Sequence, residues 1–119
     1  MKKFLALSLV GMAVALMAAS RGIDEKLAAK GEKLWTKKGC NACHTIGKGK
    51  LVGPDLKGVT ERRKPEWIIA MITNPDSMLK YDPIAKEQLK KYGVPMTDQK
   101  VSVEEAKAII EYIKRESQK

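Results

Sequence analysis

Both cysteines and the only histidine of this 119-residue chain fall within five residues, Cys40-Asn41-Ala42-Cys43-His44. Few structures use the whole pattern C-x-x-C-H. In a helical turn, residues three apart project to neighbouring positions, so two thiols at this spacing can add to the two vinyl groups along one edge of a haem. The histidine beside the second thiol then reaches under the ring to the iron. C-x-x-C-H is accordingly the attachment pattern of c-type haem. Three other uses account for less. A thioredoxin-type redox pair needs a β-α-β setting, and no stretch here alternates apolar and polar residues for long enough to read as a strand. A structural zinc site takes four ligands, of which this segment supplies three at most. A disulfide across so short a loop leaves His44 without a role. One covalently bound haem c is therefore expected.

The start of the chain says where such a protein works. MKKFLALSLVGMAVALMAAS has two lysines, an apolar run from Phe4 to Ala19, and small residues at Ala18 and Ser20 before Arg21. That is the three-part pattern of a secretory signal peptide. The run falls short of the roughly 20 apolar residues needed to span a bilayer, so a membrane association is expected only if the leader is kept. Residues 21–119 then form one domain in the periplasm. The leader takes two lysines and no acidic residue from a chain of net charge +9, leaving +7. Export and the lack of an aromatic-and-basic recognition motif speak against nucleic acid. A basic surface outside the cytoplasm fits acidic protein partners.

Past the leader the pattern is helical. Leu27, Ala28, Gly31, Leu34 and Trp35 share one face between Asp24 and Lys38, and Gly39 is a natural stop. Gly47–Gly58, GKGKLVGPDLKG, is too glycine-rich for regular structure. Pro65 suits a first helical position, and Trp67, Ile68, Met71 and Ile72 form an apolar stripe that ends at Asn74-Pro75. Asp82-Pro83 opens a short helix closed by Gly93. Ser102 and Glu105 make a capping box for the last helix, with Val103, Ala106, Ile109, Ile110 and Ile113 on one side. The fold class is all-α, about four helices packed around one covalently bound haem. A chain with so many loops gains from a large buried body.

A haem held by His44 needs a partner on the opposite face of the iron, and no second histidine exists. Methionine is the common alternative and raises the reduction potential. Beyond the leader the methionines are Met71, Met78 and Met96. Met71 lies on the apolar stripe with Trp67 and reads as core. Met78 lies in PDSMLKY, read as a loop. Met96 follows Pro95 in GVPMTD, an extended, proline-stiffened segment that can present sulfur to a metal. Met96 is the preferred ligand, with Met78 second.

GEKLWTKKGCNACHTIG, VGPDLKG, a tryptophan on a middle helix, YGVPM and an amphipathic final helix containing IIEYIK occur in that order from Gly31 to Lys114. In this the chain resembles the class I cytochromes c, of the small bacterial monohaem type. The resemblance implies thioethers at Cys40 and Cys43, His44 as the proximal ligand and Met96 as the distal one. It implies a Pro54 carbonyl accepting from the other ring nitrogen of His44. It places Gly31 and Trp35 against Tyr112, and it turns the Trp67 indole N–H towards a haem propionate, a plain core position being the other reading. Two departures stand out. Thr97 rather than proline follows the methionine, and the stretch from Trp67 to Met96 is long, with an extra helix near Pro83.

The implied function is periplasmic transfer of single electrons by a monomer, without enzymatic activity, to redox partners that dock acidic faces on Lys37, Lys38, Lys48 and Lys50. Two alternatives remain open. One is a haem-bearing subunit of a larger periplasmic oxidoreductase. The other is a sensor or peroxidase with an open sixth iron position, which the absence of a second histidine to act as distal base disfavours.

Overall fold

The computed structural model describes residues 22–119, so the expected leader, residues 1–20, lies outside the described residues. Six helices follow, with no strand among the described residues: α1 (Glu25–Lys37), α2 (Val59–Arg62), α3 (Pro65–Thr73), α4 (Pro75–Tyr81), α5 (Pro83–Tyr92) and α6 (Val103–Ser117), with one 3-10 turn at Cys40–Ala42. None is long and apolar enough to cross a membrane. The all-α class stands. The count exceeds the four read from periodicity because two short helices carry too few residues to show a face. One is α2, a single turn of VTER. The other is α4, which makes PDSMLKY a helix rather than a loop, with Pro75 in its first turn.

The two long helices are punctuated as their sequences require. The Asp24 carboxylate accepts from the Leu27 N–H at 3.0 Å and caps α1. Gly39, at φ 73°, takes the left-handed turn that ends this segment and starts the cysteine turn. Ser102 accepts from the Glu105 N–H at 3.1 Å, and the Glu105 carboxylate accepts from the Ser102 N–H at 3.0 Å, closing the capping box of α6.

α1 and α6 form the most extensive helix pair. They approach so closely at Gly31 that a Cβ there would lie 2.8 Å from the Tyr112 Cβ and overlap the Ala108 carbonyl. Trp35 and Tyr112 stack tilted beside the crossing, ring centroids 5.7 Å apart. Thus Gly31, Trp35 and Tyr112 meet. α6 buries two faces, not one. Ala108 and Tyr112 meet α1, whereas Ile109 and Ile113 turn towards the cavity described below. That second face explains why Ala108 is buried; Val103, expected on the apolar side, is exposed at the first position of the helix.

Candidate functional site

A cavity of about 500 Å³ opens between the α1–α6 pair, the glycine-rich loop and α3–α5, within the range of about 300–1,000 Å³ usual for cofactor sites. Its walls are mainly apolar: Trp35, Leu56, Val59, Ile68, Ile72, Leu79, Leu89, Val101, Ile109 and Ile113. All six residues singled out from the sequence, Cys40, Cys43, His44, Pro54, Trp67 and Met96, line it. Met71 lines it too, from α3, and Met78 is not among its lining residues.

The cysteine turn follows directly on Gly39. The Cys43 N–H and the His44 N–H both donate to the Cys40 carbonyl, at 3.2 and 2.9 Å, so the two thiols sit one turn apart at the cavity wall. They are not joined in a disulfide. Burial pushes the Cys40 thiol up, so it rests as a thiol. Cys40, Cys43 and His44 do not converge into a cluster able to hold a bare metal ion.

His44 is fixed from behind. Its Nδ1 lies 2.9 Å from the Pro54 carbonyl. A carbonyl only accepts, so Nδ1 carries the proton and Nε2 keeps its lone pair for a metal. Burial lowers the imidazole pKa, and the Pro54 bond offsets part of that shift. Burial is the larger of the two and favours the neutral ring, the form that ligates. Gly53 closes the remaining space: a Cβ there would stand 2.7 Å from His44 Cε1 and 3.0 Å from Nδ1.

Pro54 is held in place by its neighbour, whose part the sequence reading missed. The Asp55 carboxylate accepts from the N–H groups of Gly47 at 2.7 Å, Gly49 at 2.8 Å and Lys57 at 2.9 Å. Three backbone donors on one carboxylate turn a segment without helix or strand into a fixed loop, and they hold its pKa below the ordinary carboxylate range, the Gly47 bond foremost. The only sequence signal was an acid inside a run of glycines. A depressed pKa contributes stability at neutral pH that disappears as pH falls through the folded-state value. Asp55→Asn is therefore expected to melt below the native protein at pH 7. The gap should close as pH falls below about 4, the ordinary carboxylate value, as thermal melts at stepped pH would show.

Other site expectations fare differently. The Trp67 indole N–H donates to Asp82 Oδ2 at 2.9 Å while the ring lines the cavity. Lys38 is engaged, its ammonium donating to the Lys100 carbonyl at 2.8 Å and lying 3.8 Å from Glu105. Lys37, Lys48 and Lys50 are exposed. Among the described lysines only Lys91 reaches the cavity wall, and Lys50 and Lys91 both stand over the Tyr92 ring, at 5.6 and 5.5 Å.

An apolar cavity, two unpaired thiols one turn apart at its wall and an imidazole whose free nitrogen is the metal-ligating one fit a haem bound along one edge and from one face. The cytochrome c family profile matches residues 28–116. The chain belongs to the cytochrome c family. Cytochrome c from Rhodothermus marinus is 38% identical, with a TM-score of 0.77 over 82% of this chain and 83% of that one. An engineered form of the Rhodothermus protein, bound to a carbene intermediate, is 36% identical with a TM-score of 0.72 over 82% of each chain. The cytochrome c domain of a Pseudomonas putida protein is 30% identical, with a TM-score of 0.65 over 75% of this chain and 89% of that domain. No curated protein matches the chain. As a class I cytochrome c, this chain binds haem c covalently, with Cys40 and Cys43 fitting the attachment motif, and its family's activity is electron transfer.

Proposed function

We propose that this cytochrome shuttles single electrons between redox proteins in the periplasm, with His44 and Met96 as the residues that would ligate its haem. The observation that carries the reading is that Met96, on a segment outside any helix, lines the same cavity as His44, whereas Met78 does not. When bound, the haem supplies an iron that alternates between ferric and ferrous. The chain does the rest. Pro54 and Gly53 hold the imidazole so that little rearranges on electron transfer. The apolar walls exclude water, and thioether sulfur from Met96 favours the reduced state.

Lys91 at the mouth, with Lys48 and Lys50 on the adjoining loop, offers a cationic rim to acidic partner faces. Encounter would then slow as salt is raised. The leader carries the periplasmic placement. One observation favours the alternative of a dedicated haem subunit. Leu51, Val52 and Val94 are 48%, 39% and 55% exposed, the last two on the cavity wall.

The deciding measurement is the visible spectrum of the haem-loaded protein in both oxidation states, with and without carbon monoxide. The native protein is expected to be low-spin, to show the weak far-red band of methionine–ferric ligation and to take up carbon monoxide slowly. Met96→Ala should lose the band and bind carbon monoxide readily, and Met71→Leu should keep it. A band that survives Met96→Ala would overturn the assignment. A high-spin native ferric form would favour the sensor or peroxidase.

A further inference from the structure

The long stretch between Trp67 and Met96 forms a wall of its own. α4 packs on α3 and α5, and α5 makes its main contact with α4 rather than with the α1–α6 pair. This wall gives Leu79, Leu89 and Tyr92 to the cavity lining. The chain leaves α5 through Gly93, in the left-handed turn at φ 78°, and reaches Met96 three residues later. Where α5 sits therefore fixes where the methionine segment begins.

Among the described residues, one side-chain hydrogen bond ties α4–α5 to an earlier helix. It runs from Trp67 Nε1 on α3 to Asp82 Oδ2, at 2.9 Å. The same oxygen accepts the Ala85 N–H at 2.9 Å and so caps α5. Arg63 completes the joint, its guanidinium 5.5 Å above the Trp67 ring. A carboxylate that caps one helix and receives an indole from another can only do both while the two stay in register.

We propose that the Trp67–Asp82 hydrogen bond is a latch that holds the α4–α5 wall against α3, so that these two positioning residues keep Met96 on the cavity and govern access of small ligands to its distal side. The inference rests on the Met96 reading for the second effect but not for the first. Opening of the wall would be a local event. It need not disturb α1 and α6, which pack on each other elsewhere.

The test uses the haem-loaded protein. Trp67→Phe keeps an aromatic ring but removes the N–H together with the pyrrole half of the indole, and Asp82→Asn, which leaves Trp67 whole, keeps a capping side chain while weakening the acceptor. In Trp67→Phe, amide exchange from Ala85 to Tyr92 is expected to rise about tenfold, the order for one hydrogen bond to a charged group, with α1 and α6 unchanged. Association of cyanide with the ferric form should rise by about the same factor, and Asp82→Asn should move both less. Unchanged exchange in α5 would overturn the latch. Faster exchange with unchanged cyanide association would overturn its control of access. The Met96→Ala spectrum judges the ligation separately, because α5 exchange does not depend on which group binds the iron.

Discussion

Made without its haem, the chain is expected to lose fixed tertiary packing while keeping part of its helix. Eleven apolar residues are buried among those described, and four of them are alanines, so the side chains alone make a thin core. The cavity of about 500 Å³ lies in the middle of what remains. Without haem its apolar walls face water or a gap, and a domain has only about 5–15 kcal/mol of stability to set against that. The walls will therefore collapse rather than stand. α1 and α6 should remain associated, because their contact at Gly31 and Ala108 lies away from the cavity. α3–α5 should loosen, since their apolar faces meet the cavity. Circular dichroism checks both halves: much of the far-ultraviolet helix signal kept, the near-ultraviolet signal lost, and binding of a hydrophobic dye gained. A haem-free chain that melted cooperatively with a native near-ultraviolet spectrum would show that the cavity is not the cofactor's place in the core.

That dependence explains which parts of this fold were legible in the sequence. CNACH could be read because attachment needs only residues within one turn. The capping box of Ser102 and Glu105 is equally local, as is the closure of α5 at Gly93. What escaped involves groups whose partners are distant or are backbone. Asp55 serves three N–H groups that no side-chain pattern reveals. Trp67 bonds Asp82, fifteen positions on, only because α4 turns the chain back over α3, and α4 itself was hidden by its brevity. Met71 was read as core from its helical stripe, yet the stripe faces a cavity. An apolar face looks the same in sequence whether it packs on side chains or on a cofactor. Lys38 read as one member of a basic rim, but the carbonyl of a left-handed residue, Lys100 at φ 59°, draws it inward.

Gly31→Ala is expected to be the most damaging single methyl addition. A Cβ at this site would overlap the Ala108 carbonyl and stand 2.8 Å from the Tyr112 Cβ. These are a helix backbone and the root of a side chain, neither of which can rotate away. The helices must therefore separate. Overpacking of this kind costs about 1–3 kcal/mol and sometimes more, and here it opposes the small gain alanine brings to a helix interior. For a domain of this size 1 kcal/mol moves the melting temperature by roughly 4–8 °C, so a fall of about 10–20 °C is expected for the haem-loaded protein. Ala29→Gly, at an exposed position of the same helix, is the control and should cost only about 1 kcal/mol. Separation at Gly31 also shifts Trp35, which stacks on Tyr112 and lines the cavity. The tryptophan fluorescence and haem absorption of Gly31→Ala should therefore change together with its stability. A melting temperature within a few degrees of the native value would mean that α1 and α6 can part without loss, and that their close crossing is not what frames the haem.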